Sequence, residues 1–300
     1  YVEHVAIIDG NTLINEISYQ QITGKLKNAK ENIVLTKGTP RIKRKIKGRV
    51  LSLVQGSSGN KNYFHWLFDI LPKIKLCSEH YPLKEIDFFY ASSLQNFQKQ
   101  TLSIFNIDEK KILNSYTNRH IEASDLIVVD HPWYHKGFIH NELKLLPSWI
   151  IHWLREIYIK CAEQFENNDK IYIDRTESKF KHCQIQNDKE VFDFLKDKGF
   201  LKYKIGKLSF FEQIYLFNNA KFIIGAHGAA FTNLAFCKPN TNIIEIKPSI
   251  HPNNVNKRIS QINNLNYKLI KTKELNENQK KFGDIYLPIE ALKQCITSFD

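Results

Sequence analysis

The stretch FIIGAHGAAFTNLAF, residues 222–236, combines an apolar strand, a turn of small residues and the start of a helix. The strand is predicted to break at Gly225, and a helix is predicted to begin after Gly228. Several backbone N–H groups without helical partners meet at such a junction, and the helix dipole adds to their positive potential. Small residues leave room for a bulky anion, and His227 can donate a further hydrogen bond. The stretch therefore predicts a cradle for a phosphate or diphosphate, with a tight helix–sheet turn as the alternative.

The 300-residue chain is 42% hydrophobic and 25% charged, the composition of a soluble globular protein with one large domain or two ordinary ones. No apolar run approaches the roughly 20 residues that a membrane-spanning helix needs. The sequence starts at Tyr1 and contains no methionine. It is therefore expected to be part of a longer chain, and an N-terminal anchor stays open.

The five cysteines are an odd number, widely spread and without a Cys-x-x-Cys pair. This favours reduced thiols and argues against a zinc site. The expected location is therefore cytoplasmic, with a peripheral position on the inner membrane face as an option.

The formal net charge of +12 favours anionic partners such as a nucleotide, a polyanionic acceptor, an acidic membrane surface or nucleic acid. The one dense basic cluster is residues 41–49, RIKRKIKGR. No aromatic residue interleaves its cations for base stacking, so nucleic acid is not expected as a partner. Three surroundings stay open for the basic cluster: an anionic acceptor, an anionic membrane or plain solvent. Solvent is slightly favoured.

Strands and helices alternate along both halves of the sequence. Strands are predicted at 50–54, 85–90, 111–113, 124–129, 170–173, 200–204, 222–224 and 242–246, and helices at 63–80, 94–105, 147–165, 188–198 and 209–219. This rhythm is typical of parallel βαβ units. We therefore predict an α/β fold of two Rossmann-like domains, residues 1–165 and 166–300, facing each other across a cleft. The last helix, 289–299, is a candidate to pack back on the N-terminal domain.

His65 and Asp69 lie four residues apart on the helix predicted over 63–80. That spacing places them one helical turn apart. A carboxylate beside an imidazole orients the ring and raises its basicity, which suits a general base acting near neutral pH. Pro72 is predicted to end or kink the helix just beyond the pair. The alternative is an ordinary polar helix face.

Arg175 follows the strand predicted over 170–173, and Lys179 lies in the next loop. A guanidinium is suited to bidentate phosphate contact and to neutralising a diphosphate leaving group, and Lys179 can assist it. The alternative is a surface salt bridge of Arg175 with Asp174 or Glu177.

Two glutamates of the second half are further candidates. Glu212 follows Ser209 at the spacing of a capping box, so it caps its helix or accepts hydrogen bonds from a ribose, and both stay open. Glu245 ends an apolar strand and is either a ligand contact or a partner of Arg175.

Several motifs are missing from the sequence. No G-x-x-x-x-G-K-[ST] phosphate loop, no G-x-G-x-x-G after a strand and no G-x-S-x-G nucleophile elbow occurs. These gaps exclude P-loop phosphoryl transfer and argue against a nicotinamide cofactor. There is also no Asp-x-Asp, so a departing diphosphate would be stabilised by Arg175, loop amides and a helix dipole without a metal.

Five motifs, in this order, resemble those of glycosyltransferase family 61. The family's G-N-[YF]-[YF]-H-W-[LF]-x-[DE]-x-L-P segment is met with Asn60-Lys61-Asn62 in place of the tighter Gly-Asn spacing. The matching stretches are GNKNYFHWLFDILP (59–72), YIDR (172–175), SFFEQ (209–213), GAHGAAFTN (225–233) and PNTNIIE (239–245). The likeness covers about residues 50 to 250.

The resemblance implies a GT-B fold and metal-independent, inverting transfer of a sugar from a nucleotide-sugar donor to a glycan or glycolipid acceptor, with no cofactor. The residues it implies at the donor diphosphate are Arg175, His227, Gly228 and Ala229, and it places Glu212 and Glu245 near the nucleoside. Their positions in the sequence add Lys179 and Gly225 as donor-side candidates and Asn60 and Asn62 as acceptor-side candidates. His65 or Asp69 would be the base, and the motif does not choose between them. Bacterial relatives serve capsule or lipopolysaccharide assembly.

Two other functions stay open. One is a nucleotide-sugar epimerase or a phosphorylase on the same two-domain plan. The other is a non-catalytic nucleotide-sugar or polyanion binding module, which rests on the net charge of +12.

Overall fold

The computed structural model describes residues 5–18, 20–22, 25–27, 29–54, 61–133, 145–165, 168–176, 183–249, 251–273 and 283–299. The chain divides into two compact units, Tyr1–Leu145 and Leu146–Asp300, whereas the sequence placed the division after residue 165. The helix Ser148–Tyr158 thus belongs to the second unit. Its Arg155 guanidinium explains why, because it donates to the carbonyls of Ala235 and Cys237 at 2.9 and 2.7 Å.

In its described residues, the first unit contains two short antiparallel hairpins and a sheet of four parallel strands in the order β7-β6-β5-β8. The hairpin strands are β1 (Ile8–Asp9), β2 (Thr12–Leu13), β3 (Gln20–Ile22) and β4 (Lys25–Lys27). The sheet strands are β5 (Arg44–Ser52), β6 (Phe88–Ala91), β7 (Ile112–Asn114) and β8 (Ile121–Val128). The C-terminal part of β5 is apolar and fully buried at Val50 and Leu51. This is expected of a strand in the interior of a parallel sheet.

Helices connect these strands. They are α1 (Val34–Lys37), α2 (Tyr63–His65, Trp66–Ile70 and Leu71–Ser78 in direct succession) and α3 (Asn96–Ser103). Short 3₁₀ turns occur at Asn15–Ile17, Ala29–Glu31, Leu83–Glu85 and Glu109–Lys111. The helix α2 follows β5 in the chain and carries both predicted catalytic residues.

The part of the second unit that the structure describes contains a sheet of five parallel strands in the order β10-β9-β11-β12-β13. The strands are β9 (Lys170–Ile173), β10 (Leu201–Tyr203), β11 (Phe222–Ala226), β12 (Asn242–Pro248) and β13 (Asn266–Thr272). The helices are α4 (Ser148–Tyr158), α5 (Asp188–Lys196), α6 (Phe210–Asn219), α7 (Val255–Ile262) and α8 (Ile289–Thr297). The 3₁₀ helices are Ile159–Cys161, Ile205–Lys207 and Ala229–Phe236.

The central strand β11 is buried along its whole length, with β9 on one side and β12 on the other. In a parallel sheet the carboxyl ends of neighbouring strands lie at one edge, where open α/β sheets bind ligands. Arg175 follows β9, and Glu245 lies on β12 beside Gly225 of β11. The topology therefore brings the donor-side candidates together.

An apolar core closes one face of this second sheet. It joins residues of β11 and β12 to the last helix, α8, whose Leu292 is fully buried. Phe299, just after α8, packs edge-on against Phe222 at a ring-centroid distance of 5.1 Å. The apolar residues of α8 are thus used within the second unit.

The prediction of a mixed α/β fold with parallel sheets is confirmed. Two elements of the second unit, α7 and β13, were not predicted. The helix expected after Gly228 is a 3₁₀ helix rather than an α-helix. Among the described helices, none has the length and apolar character needed to cross a membrane.

Candidate active site

His65 and Asp69 form a hydrogen-bonded pair on α2. Nδ1 of His65 lies 2.6 Å from Oδ2 of Asp69. The side-chain oxygen of Asn62 accepts hydrogen bonds from the backbone N–H groups of Phe64 and His65, at 3.0 and 3.3 Å. Asn62 is therefore the N-cap that fixes the first turn of the helix under His65.

The helix around Asp69 contains a π turn, Trp66–Ile70, a local widening that is frequent at functional sites. Pro72 comes directly after it and has no N–H to offer the carbonyl of Phe68, four residues earlier. The indole Nε1–H of Trp133 donates to that carbonyl instead, at 3.1 Å. Pro72 was predicted to end or kink the helix: the helix does not end there but continues to Ser78, and the irregularity at Trp66–Ile70 comes just before the proline.

Asp69 is fully buried and receives donors from a distant segment as well as from His65. Nε1 of Trp133 lies 3.0 Å from its Oδ1 atom, and Nε2 of His131 lies 3.7 Å from the same oxygen. Burial raises the pKa of Asp69, but attraction to His65 and His131 and the hydrogen bond with His65 outweigh it and hold the pKa well below its usual range. Asp69 is therefore an ionised and fixed carboxylate.

The other titratable groups beside Asp69 are shifted by burial. Burial lowers the pKa of His131 to about 4, and attraction to Asp69 offsets this only in part. Burial also lowers the pKa of Lys73 to about 8, against the attraction of Asp69 and Asp130. His65 is better placed to exchange a proton, because its Nε2 makes no hydrogen bond within the described chain and its side chain is 14% exposed.

The second cluster begins where β11 ends. Gly225 packs against β9, and a Cβ atom added to it would lie 2.8 Å from Cβ of Ile173. Only glycine allows this close approach of the two strands. The next N–H, that of His227, donates to the carbonyl of Ile246 at 2.8 Å and ties the turn to β12.

Three backbone donors follow the turn. The N–H groups of Gly228, Ala229 and Ala230 have no hydrogen-bond acceptor in the part of the chain that the structure describes, since the 3₁₀ helix closes first from Phe231 to Gly228 at 3.0 Å. Gly228 and Ala230 are partly exposed and Ala229 is exposed. Such unpaired amides beside one turn are what an anion cradle requires, and the binding of an anion there stays a prediction.

Arg175 lies directly against this turn. Its Nη1 atom donates to the carbonyl of His227. A Cβ atom on Gly228 would fall on the guanidinium itself, so the glycine makes the room that Arg175 occupies. Burial lowers the pKa of Arg175, with Cys183 opposing the shift, and a guanidinium stays charged over such shifts.

His227 has a carboxylate partner, as His65 does. Its Nδ1 is hydrogen-bonded to Oε1 of Glu245, and its Nε2 makes no hydrogen bond in the described residues. Burial raises the pKa of Glu245, but the charge and hydrogen bond of His227 outweigh it and lower the pKa to about 2. The predicted alternative that Glu245 pairs with Arg175 is therefore corrected: its partner is His227.

Glu212 forms the capping box that its spacing allowed. Its carboxylate accepts from the N–H of Ser209 at 2.7 Å, and the hydroxyl of Ser209 accepts from the N–H of Glu212 at 3.1 Å. A ribose contact by Glu212 stays a prediction. Two other candidates, Asn60 and Lys179, lie outside the described residues.

Two of the five motifs are joined by a buried hydrogen bond that sequence reasoning did not single out. Nδ2 of Asn233, in the turn motif, donates to Oε1 of Gln213 on α6 at 2.9 Å. Gln213 in turn donates to the carbonyl of Leu208 at 3.1 Å. This link fixes the 3₁₀ helix after the donor cluster against α6.

Two cations of the basic cluster at 41–49 form ion pairs within the first unit. Lys43 pairs with Glu122 on the neighbouring strand. Nε of Arg49 lies 2.5 Å from Oδ2 of Asp125, and its Nη1 lies 3.2 Å from Glu85. Neighbouring acidic side chains therefore neutralise part of the charge that suggested an external partner.

Across the described ranges, no group of three or more His, Cys, Asp or Glu side chains is arranged to hold a metal ion. Each histidine–carboxylate pair, His65–Asp69 or His227–Glu245, supplies two side chains of these types, fewer than the three of such a group.

Parallel sheets and site residues at strand ends define a mixed α/β protein compatible with the Rossmann-like glycosyltransferases. The family model described as Glycosyltransferase 61 matches residues 63–244, more than half of the chain. The chain therefore belongs to glycosyltransferase family 61, and it is a glycosyltransferase with a donor and an acceptor as substrates. No curated protein matches the chain. The predicted family and enzyme class are confirmed.

Proposed function

We propose that the protein is a metal-independent, inverting glycosyltransferase that moves a sugar from a nucleotide-sugar donor to a glycan or glycolipid acceptor. One observation carries the proposal. Each unit holds a histidine whose Nδ1 is bonded to a buried carboxylate and whose Nε2 makes no hydrogen bond in the described chain. One such pair suits proton removal and the other suits contact with a phosphate.

The donor diphosphate is assigned to the second unit. The amides of Gly228, Ala229 and Ala230, the guanidinium of Arg175 and the imidazole of His227 lie around one turn. Fixed donors and positive charges of this kind stabilise the negative charge that develops on a departing diphosphate. In this proposal they replace a divalent metal, in keeping with the absence of Asp-x-Asp from the sequence.

Acceptor activation is assigned to the first unit. Nε2 of His65 takes the proton of the attacking hydroxyl as its oxygen bonds to the anomeric carbon, while the bond from that carbon to the diphosphate breaks. A single displacement of this kind inverts the anomeric centre and requires no enzyme nucleophile. Asp69 orients the imidazole and does not take the proton itself, because Trp133 and His65 already occupy its oxygens.

The architecture and biological role are proposed from the family. We assign the two units to the two Rossmann-like domains of a GT-B enzyme, since each has its own parallel sheet with candidate residues after the strands. We assign the enzyme to bacterial surface-polysaccharide assembly in the cytoplasm. The five cysteines, none of which forms a disulfide, support that compartment.

The proposal is tested by incubating the protein with UDP-, GDP- and dTDP-linked sugars and measuring released nucleotide. We expect slow release from one donor class that chelation of divalent metal leaves unchanged. The anomeric configuration of the released sugar, followed by NMR, should be opposite to that of the donor. Retained configuration, or release abolished by chelation, would contradict the proposed mechanism.

A further inference from the structure

Residues 35–45 form one continuous exposed stretch of the first unit, which runs from α1 to the start of β5. We call it the exposed basic segment. Its sequence, LTKGTPRIKRK, contains five cations and no acidic residue. The chain has no Asp or Glu between Glu31 and Asp69, so no carboxylate nearby in sequence offsets this charge.

Two large aliphatic side chains are exposed among these cations. Leu35 is 57% exposed and Ile42 is 86% exposed. They are close in sequence, so their Cα atoms lie no more than about 25 Å apart. Aliphatic side chains that can enter lipid, with cations beside them that can meet anionic headgroups, are the combination found where proteins lie on a membrane surface.

The exposed basic segment is held to the fold at both ends. Before it, the side chain of Asn32 is 1% exposed and donates to the carbonyls of Val5 and Ser18 at 2.9 and 3.2 Å. At its other end, the N–H of Arg44 donates to the carbonyl of His120 at 2.9 Å. The exposure of its apolar side chains is therefore a property of the folded unit and not of a frayed end.

Most of the positive charge of the segment is not neutralised by the protein itself. Lys43 pairs with Glu122. The guanidinium of Arg44 donates to a neutral side-chain amide at 2.7 Å and keeps its charge. Lys37 and Arg41 make no ion pair with any residue that the structure describes. An excess of positive charge thus surrounds the exposed aliphatic side chains.

We propose that the exposed basic segment docks the first unit on an anionic lipid surface. Leu35 and Ile42 enter the interface, and Lys37 and Arg41 meet the phosphates of the headgroups. A soluble polyanion would use the cations but leave both aliphatic side chains in water, so the exposed apolar pair favours lipid. Docking here would bring the unit to which acceptor activation is assigned to a membrane, where a glycolipid acceptor lies.

The inference is independent of the proposed function, because its test needs neither a donor nor an acceptor. Binding of the full chain is measured by sedimentation with vesicles of phosphatidylcholine alone and of phosphatidylcholine mixed with phosphatidylglycerol. We expect the parent to bind the mixed vesicles and not the pure ones. Added salt should weaken the binding, because ions screen the attraction between the cations and the headgroups.

Two variants separate the apolar contribution from the charge. Ile42→Ser keeps every cation and should lower the affinity for mixed vesicles about tenfold or more, because an aliphatic side chain no longer enters the lipid. The double variant Lys37→Ala/Arg41→Ala keeps both aliphatic side chains and should lower the affinity about 10- to 30-fold. Circular dichroism checks that both variants are folded.

Matched controls change the same residue types elsewhere. Leu201→Ser removes an aliphatic side chain that is 40% exposed in the second unit, and Lys84→Ala/Lys110→Ala removes two exposed cations of the first unit. Both should bind mixed vesicles as the parent does. A parent that does not bind the mixed vesicles overturns the inference. Parental affinity in either test variant also overturns it, and loss of binding in the cation variant alone indicates a soluble polyanion as the partner instead.

Discussion

Trp133 donates its indole N–H to Asp69 over 3.0 Å, although the two residues are 64 positions apart in the chain. The same N–H reaches the carbonyl of Phe68 at 3.1 Å. One side chain thus satisfies a buried carboxylate and a carbonyl that Pro72 leaves without its helical donor. The π turn and the proline are accommodated because Trp133 lies there.

Removing this donor should destabilise the protein. Trp133→Phe leaves Asp69 and the Phe68 carbonyl each short of a hydrogen bond in a buried place, so we expect the free energy of unfolding to fall by about 1–3 kcal/mol. Urea unfolding measures it. The matched control is Trp66→Phe, which removes a single hydrogen bond, from the indole N–H to Oγ1 of Thr101 at 2.9 Å. It should lower the free energy of unfolding by less. An equal or greater loss from Trp66→Phe would contradict the role given to Trp133.

Asp69→Asn should separate orientation of the base from binding. The amide keeps the size of the side chain but offers a donor to Nδ1 of His65, which favours the tautomer with its proton on Nε2. Turnover should fall by about 10²–10⁴ while the dissociation constant of the donor stays the same. Asp125→Asn, in a surface ion pair with Arg49, is the control and should keep turnover. Parental turnover in Asp69→Asn would remove Asp69 from the mechanism.

Gly228→Ala should displace Arg175. The added Cβ falls on the guanidinium, and the end of a flexible side chain is what has to move. We expect nucleotide binding to weaken by about 10- to 100-fold through loss of a charge-assisted contact, with little change in stability. Gly206→Ala is the control, because nothing lies within 4 Å of a Cβ there. Calorimetric titration that gives both variants the parental affinity would contradict the placement of Arg175 at the diphosphate.

Acid should remove the stabilisation that Glu245 supplies. Its pKa is lowered from 4.5 to about 2 in the folded protein, chiefly because His227 outweighs the effect of burial. A depressed carboxyl pKa stabilises the fold above pH 4.5, and this contribution is lost as the pH falls towards 2. Glu245→Gln lacks it, so the difference from the parent should be about 3 kcal/mol at neutral pH and should shrink below pH 4.5. A difference independent of pH between 3 and 6 would contradict this account.

Sequence reasoning located the first site through local patterns. His65 and Asp69 could be paired because four residues on a helix bring side chains together, and Asn62 begins that helix at a favourable capping residue. Trp133 and His131 could be noticed only as part of an aromatic, histidine-rich segment. Their contact with Asp69 depends on chain packing over more than sixty residues, which no local period reports.

The second site shows the same limit. Glu245 was singled out as a carboxylate among apolar residues. The sequence did not decide whether it contacts a ligand or pairs with Arg175. The answer depends on α7 and β13, which supply Asn256 and Tyr267 as hydrogen-bond donors to Glu245. Those elements were not predicted: α7, VNKRISQI, carries a helical apolar period at Val255, Ile259 and Ile262 that was overlooked, and β13, NYKLIKT, does not alternate strictly between buried and exposed residues.

The measurement that tests the central claim most directly compares turnover and donor affinity in His65→Ala and Arg175→Ala, with the donor that gives nucleotide release. The account predicts that His65→Ala loses about 10²–10⁴ in turnover and keeps the dissociation constant of the donor. It predicts that Arg175→Ala weakens donor binding by about 10- to 100-fold. The control is His80→Ala, because His80 is an exposed residue of the first unit. This variant should match the parent in turnover and in donor affinity. Parental turnover in His65→Ala, or parental donor affinity in Arg175→Ala, would contradict the division of base and donor site between the two units.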